Sequence, residues 1–405
     1  MDHTEEIVIV GAGLAGLAVA VGLHRKGLRS LVLESSDTLR AAGFALTVWT
    51  NAWRALDALG VGDSLRRHHL RLQAVVMSSA SSASLVTKLP AKEHEVRCVR
   101  RNLLVEALAG ELPHGTIRYS SKVVAMEDSG ESKLLHLADG STLKAKVVVG
   151  CDGINSAVSK WLGLKPPTFS GRHAARGFTV LPDGHGMKPE FMQYNGEGFR
   201  AGVLPCDEKS LYWFFTWTSN GEKETIPDHH DALMVKEFVL GKVKASEIPE
   251  QVVEIIDKSE LSSVASAPLR YRSPLNLLSG NICKGNTCVT GDAFHPMTPD
   301  LGQGGCSALE DGVVLARCLA DALCGGGNGE EEHRNRNRNR RVEAGLKDYE
   351  KARKWRAFRL VVGSYALGFV QESGNWFLRL VRERILAGFL VERLFVAASF
   401  DCGKL

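Results

Sequence analysis

The sequence carries almost no excess charge. Its 50 Lys and Arg nearly balance 46 Asp and Glu, giving a formal net charge of +4. That is too little to draw a polyanion, and no basic patch is interleaved with aromatics, so no nucleic-acid partner is expected. Nine cysteines are scattered without a C-x-x-C, and their number is odd. A disulfide framework and a metal site are therefore not expected, whereas a reducing, cytoplasmic setting is. There is no G-x-S-x-G and no H-E-x-x-H, which removes the common hydrolase and zinc-protease arrangements. No internal repeat is found, and no signal or clear transit segment. The uncharged run Ile7 to Leu23 follows Asp2, Glu5 and Glu6, where a signal peptide needs positive charge. It is broken by glycines and shorter than the ~20 residues of a membrane span. With 44% hydrophobic and 24% charged residues over 405 positions, the chain reads as one large or two ordinary globular domains.

What is present begins almost at the first residue. Ile7 to Val10 is an apolar, β-branched run, the pattern of a buried parallel strand. It leads into Gly11, Gly13, Ala15 and Gly16, spaced G-x-G-x-x-G, and then into helical spacing to Leu28. A second strand, Leu31 to Leu33, ends in Glu34, eighteen positions beyond Gly16. Each part has a task. Gly11 permits a tight turn, Gly13 a close approach of backbone to pyrophosphate, and Gly16 close packing of helix on strand. The helix N-terminus offers N–H groups and a partial positive charge. Glu34 accepts hydrogen bonds from ribose hydroxyls and repels a 2′-phosphate, so FAD or NAD suits this site better than NADP. The alternative is an ordinary βαβ unit whose glycines serve packing.

Further along, Ala52 to Leu59 reads as a helix. Leu72 to Leu89 reads as strand material interrupted by a serine-rich turn. Arg101 opens a helix running from Leu103 to Leu112. It is either a solvated first-turn charge or a contact to a phosphate or flavin edge. Segments between Ile117 and Val149 form a small meander returning to a buried strand, which ends in Gly150-Cys151-Asp152-Gly153. An acid at the carboxyl end of a buried strand lies where open α/β sheets bind ligands; otherwise Asp152 caps the following helix. Residues 165 to 275 are rich in aromatics, among them Phe191, Tyr212, Trp213, Phe214, Phe215 and Trp217. They read as a mixed or antiparallel sheet, and as a set they favour an apolar or aromatic ligand.

A third strand end carries Gly291-Asp292-Ala293-Phe294-His295-Pro296, followed by Pro299, Gly302, Gln303, Gly304 and Gly305 and then a helix from Ser307 to Leu323. Such a loop offers backbone N–H groups to an anionic edge. His295 reads as fixing a turn before Pro296 rather than as a base. Residues 326–341, with their Glu and Arg-Asn runs, read as a flexible solvated insertion. Residues 342–405 read as C-terminal helices. Their Lys351, Arg353, Lys354, Arg356 and Arg359 alternate with Trp355 and Phe358. Packing across the nucleotide region is favoured there over contact with a membrane surface.

Three glycine-acid motifs thus stand in order: GAGLAG with Glu34, GCDG, and GDAFHP with LGQGG. Together they resemble the single-component flavoprotein monooxygenases of the para-hydroxybenzoate hydroxylase type, in the plant branch near salicylate hydroxylases and zeaxanthin epoxidase. The resemblance covers nearly the whole chain. It implies an α/β fold: a Rossmann-like FAD-binding domain with an inserted mixed or antiparallel substrate domain and a helical C-terminus. The expected division is 1–75, 95–165 and 280–325 for FAD, and 76–94 and 166–279 for substrate. The resemblance also implies residue roles. Gly11, Gly13, Gly16 and Glu34 would hold the ADP half of FAD, and Arg101 would contact the cofactor. Asp152 and Gly153 would lie near the pyrophosphate and the nicotinamide donor, and Asp292 at the ribityl chain. Pro299 and Gly302 to Gly305 would lie beside the isoalloxazine. Many relatives carry an asparagine shortly after the G-Q-G turn; here Gly305 and Cys306 stand there.

The activity this implies takes electrons from NADH or NADPH and one oxygen from O2, which a C4a-hydroperoxyflavin delivers to a small aromatic or apolar molecule. No catalytic side chain is singled out. No second G-x-G-x-x-G is present for the donor, in keeping with transient binding. A same-fold flavin reductase is one alternative. A halogenase fits less well, because its G-x-W-x-W motif is absent. A flavin-binding protein with little turnover, acting through a partner, is another. A simple NAD-dependent dehydrogenase leaves the GDAFHP and LGQGG segment without a task.

Overall fold

The computed structural model describes residues 4–39, 44–82, 84–218, 228–324, 331–372 and 395–405. The chain begins β1 (Thr4–Val10), α1 (Leu14–Arg25), β2 (Leu31–Leu33), then β3 (Ala45–Val48), α2 (Thr50–Ala58) and α3 (Gly62–Arg66). A hairpin of β4 (Ala74–Ser79) and β5 (Leu85–Pro90) precedes β6 (Arg97–Arg100), α4 (Arg101–Gly110) and β7 (Ile117–Arg118). The meander is β8 (Val123–Ser129), β9 (Ser132–Leu137) and β10 (Thr142–Gly150), followed by α5 (Ala157–Trp161). Next come β11 (Thr168–Val180), β12 (Glu190–Asn195), β13 (Phe199–Pro205), β14 (Ser210–Thr218), α6 (Ala232–Lys244), α7 (Glu250–Asp257) and β15 (Val264–Tyr271). The chain continues with α8 (Pro274–Ser279), β16 (Cys283–Lys284), β17 (Thr287–Val289), α9 (Gly304–Cys324) and α10 (Glu331–Glu372).

Two large sheets result. The first has the order β16-β17-β10-β1-β2-β7, with β8 and β9 off its path. Its centre is parallel, and its register matters for function. Val10 pairs with Gly150 and with Leu33, and Gly150 pairs with Val289. The carboxyl ends of β1, β10 and β17 therefore lie side by side, and the three glycine-acid motifs that follow them meet at one sheet edge. Apolar residues dictate this. Ile7 to Val10 and Val147 to Val149 are all buried, so these strands are covered on both faces. Every residue of α1 from Ala15 to Leu23 is buried as well. That helix meets α9 closely: a Cβ on Gly312 would lie 2.4 Å from the Cβ of Ala18, and one on Gly22 would lie 2.6 Å from that of Ala316.

The second sheet has the order β15-β11-β14-β13-β12-β4-β5. It is antiparallel except where β12 runs parallel to β4. Strand alternation sorts its aromatics. Leu211, Trp213, Phe215 and Trp217 of β14 form a second core with Val235 and Val239 of α6 and Val252, Ile255 and Ile256 of α7. Burying each such side chain contributes roughly 1.5–3 kcal/mol. Tyr212, Phe214 and Thr216 face the other way, toward the first sheet.

Several sequence expectations shift. The last helix of the nucleotide region begins at Gly304, not Ser307. Residues 331–341, expected as flexible insertion, form the first turns of α10; residues 325–330 lie outside the described part. Arg and Glu are good helix formers, this stretch adjoins a packed helix, and Arg338 pairs with Glu6. Of the helices expected over 342–405, α10 ends at Glu372, and 373–394 lie outside the described residues. Among the described residues no helix is long and apolar enough to cross a membrane. All nine cysteines are free.

Candidate functional site

The edge where β1, β10 and β17 end opens into a cleft of about 640 Å³. Its floor is the first glycine turn. Gly11 has φ +105°, and a Cβ there would sit 2.5 Å from the carbonyl oxygen of Cys151. A Cβ on Gly16 would sit 1.9 Å from the Gly11 oxygen. Gly13 differs: nothing lies within 4 Å of its missing Cβ. Its backbone is thus bare to the cleft. No side chain caps α1, so its dipole and first N–H groups are left for a ligand.

Glu34 forms one wall and is buried. Its Oε2 accepts from the Ala12 N–H at 2.9 Å, and its Oε1 accepts from the Ser36 N–H at 2.9 Å. Oε1 also accepts from Ser35 Oγ at 3.1 Å, so the carboxylate ties the glycine turn to the end of β2. Arg101 opens α4 and also lines the cleft. Asp152 is a capping residue that also faces the cleft. It lines the cleft, and it accepts from Ser156 Oγ at 2.5 Å and the Ala157 N–H at 2.7 Å, capping α5. Burial pushes its carboxyl above the ordinary range, against those hydrogen bonds.

A second cavity of about 300 Å³ lies between the two sheets. Phe191, Tyr212 and Phe214 give it an aromatic wall, with Phe191 edge-on to Phe214 at 6.1 Å. Burial raises the Tyr212 phenol to about 12, so it stays a donor at neutral pH. The polar wall centres on Asp300. Arg172 grips it through two bonds, at 2.9 and 2.7 Å, and Arg200 adds a third at 2.9 Å. Burial alone would raise the Asp300 carboxyl, but Arg200 and Arg172 outweigh it and hold it below the usual range. The Arg200 guanidinium also lies 5.3 Å from the Phe214 ring centre.

The two cavities share a wall of six residues: Ala45, Leu46, Arg176, Asp292, Gly304 and Gly305. Asp292 lies deep in the fold, yet its side chain is open, because it faces this cavity space. Its depth raises the carboxyl, opposed by His295, Arg176 and Arg101.

Behind that wall is a buried ionic network. Asp311 accepts from Thr290 Oγ1, the Gly291 N–H, His295 Nε2 and Arg353 Nε, at 3.0, 3.0, 2.6 and 2.6 Å. Glu310 binds Arg353, Arg356 and Asn51, and Asn51 also donates to Gln303 Oε1 at 2.8 Å. His295 is thus a fixed structural group, in neither cavity, as its position before Pro296 led one to expect.

Most residues singled out in the sequence converge. Gly11, Gly13, Ala15, Glu34, Arg101, Asp152 and Gly153 line the first cavity, and Asp292, Gly304 and Gly305 line both. Others are placed differently. Pro299 and Gly302 border only the second cavity. Gln303 is fully buried against Asn51 and reaches neither, because the helix starting at Gly304 turns it inward. Gly16 packs beneath the turn. Arg353 and Arg356, grouped by sequence with the basic face of the last helix, are buried or nearly so against α9. The sequence did not single out Arg172, Arg176, Arg200 or Asp300. Arg172 and Asp300 stand 128 positions apart, and no local pattern joins them.

A family model described as FAD binding domain matches residues 4–347. The chain is 49% identical over 408 residues to Monooxygenase 2 of Arabidopsis thaliana, covering 100% of this chain and 99% of that one. It is 35% identical over 404 residues to Monooxygenase 1 of the same plant, covering 98% and 99%. Its fold is similar to a crystal structure of Klebsiella pneumoniae HpxO complexed with FAD and uric acid, at a TM-score of 0.81 and 21% identity over 97% of this chain and 96% of that one.

Proposed function

The chain belongs to the FAD binding domain family and is an FAD-dependent flavoprotein monooxygenase, and we propose that it uses NADH or NADPH and O2 to place one oxygen on a small aromatic or apolar molecule held in the second cavity. The observation that carries this reading is the shared wall. A dinucleotide laid along the first cleft would end at Asp292, Gly304 and Gly305, where it meets the aromatic cavity.

The residues present fit FAD. The bare backbone at Gly13 and the uncapped α1 N-terminus suit a pyrophosphate. Glu34 suits ribose hydroxyls, and Arg101, Asp152 and Gly153 would complete the middle of the site. Asp292 suits a polyol chain, and the first turn of α9, whose Gly304 and Gly305 line both cavities, would offer its dipole to the ring. When bound, FAD supplies the transfer of electrons from the nicotinamide donor to O2. The first sheet with α1 and α9 would then hold the cofactor, and the second sheet the substrate.

The chain itself binds, orients and shields. Phe191 and Phe214, set edge-on to each other, would give a flat substrate an apolar wall and keep water off that side. Tyr212 would offer such a substrate a hydrogen-bond donor, because its phenol stays protonated. Arg172, Asp300 and Arg200 form a rigid polar frame with one positive charge in excess. Of the two carboxylates on this wall, Asp300 is the weaker base, because its arginines hold it ionised.

The test is aerobic NADH and NADPH consumption by FAD-loaded protein, with and without phenols, aromatic acids and apolar alkenes. Consumption rising with one compound, and a product heavier by one oxygen, is the expected result. Tight FAD with no stimulated consumption from either donor across the panel would overturn the reading in favour of a binding protein.

A further inference from the structure

Arg176 stands on β11 at the boundary of the two cavities. Strand alternation aims it there. Its neighbours Ala175 and Gly177 face the second core, where a Cβ on Gly177 would lie 2.3 Å from the Trp213 ring. Ala174 and Arg176 face the cavities, with Phe214 directly opposite Arg176 on β14. The arginines around it have work of their own. Asp300 engages Arg172 and Arg200, and Glu310 and Asp311 engage Arg353 and Arg356. The Arg176 side chain is exposed to the cavity space, and no hydrogen bond or ion pair joins it to any described residue. The nearby acid, Asp292, lines both cavities beside it, and its depth raises the carboxyl against the pull of His295, Arg176 and Arg101.

We propose that Arg176 is the positioning residue that stabilises negative charge on the flavin ring. The inference rests on the assignment of the first cavity to FAD and the second to substrate. A hydride brings two electrons and one proton to an oxidised flavin, and the ring thereby gains one negative charge. Outside a protein, water would solvate that charge. At a wall shared with an aromatic cavity a fixed cation takes this part, and a charge is worth more there than in bulk water. An arginine suits the task because it cannot lose its proton. It is also placed to favour the reduced cofactor over the oxidised one, which carries no ring charge.

The experiment compares FAD-loaded wild type, Arg176→Gln and Arg176→Lys without substrate, reading the flavin midpoint potential by dye-coupled reductive titration. Retention of oxidised FAD on gel filtration is the companion readout. The expected result is a lower potential for Arg176→Gln, with reduced flavin bound about tenfold more weakly relative to oxidised flavin, equivalent to about 30 mV for a two-electron couple. Arg176→Lys recovers most of the shift, and FAD retention is equal in all three. Equal potentials in all three proteins overturn the proposal. Should potentials be equal while an anionic aromatic such as benzoate binds more weakly to Arg176→Gln, the charge serves substrate instead, and the proposal also fails. Wild type that does not retain FAD would sink the cavity assignment itself, a separate outcome. Arg176 is exposed and unpaired to described residues, so neither substitution leaves a buried orphan group, and circular dichroism verifies the fold.

Discussion

Arg353 of α10 and Asp311 of α9 form an ion pair at 2.6 Å although both side chains are wholly buried. Asp311 in turn accepts the Gly291 N–H, so the last helix is bonded, through two side chains, to the turn that presents Asp292. Burial alone would raise the Asp311 carboxyl, but His295 and Arg353 pull it far below the ordinary range. The charge is kept because its partners are fixed, and removing one partner is worse than never having had the pair.

Arg353→Met tests this. It leaves Glu310 and Asp311 short of a shared cation in a dry site. A loss of about 3–5 kcal/mol of folding free energy is expected, read as a lower urea midpoint, together with weaker FAD retention. An unchanged midpoint would remove the network from the account of how the site is held.

The glycines of the first turn separate stability from binding. A side chain at Gly13 enters empty cleft, whereas one at Gly16 strikes the Gly11 carbonyl. Gly13→Val should therefore keep the thermal midpoint of the FAD-free protein and lose FAD. Gly16→Val should lose both, with overpacking of about 1–3 kcal/mol or more. Equal thermal midpoints for the two variants would contradict the geometry.

Acid should weaken the fold through Asp300, Glu310 and Asp311. All three carboxyls are held below their ordinary values in the folded chain by buried arginines or His295. The unfolded chain therefore binds protons more readily in that range. Their contribution is complete above the unfolded carboxylate values of about 4, and is lost as pH falls through the lower folded ones. Urea midpoints measured from pH 7 down to pH 3 should drop mainly below about pH 4. Asp152 and Asp292, raised in the folded state, act with the opposite sign and soften that slope. A midpoint flat down to pH 3 would refute the assignment.

The aromatic wall sets fit rather than cofactor binding. Phe214→Ala removes the partner of Phe191 and the ring beneath Arg200. The expected result is an unchanged flavin absorbance spectrum and a kcat/KM lower by about 10- to 100-fold for a flat substrate, on the order of 1–3 kcal/mol of lost contact. A spectrum that changes while KM holds would place Phe214 with the cofactor instead.

The sequence by itself determined the nucleotide half. Its signals are local: β-branched runs make buried parallel strands, and glycines stand where backbone turns sharply or must stay bare. The acid Glu34 follows at a spacing that one strand, one helix and one strand impose. Such patterns survive without knowledge of distant residues, so the cleft and most of its wall could be read in advance. The tertiary structure alone decided the rest. Parallel register brought three motif ends together across more than 270 positions, from Gly11 to Gly291. Arg172, Arg200 and Asp300 became one group, Gln303 turned away from the cleft, and Arg353 moved from an apparent basic surface into the core. A lone arginine or aspartate carries no local signature of its partner, because charge pairing depends on distance in space and on burial, both of which the packing of whole sheets and helices sets.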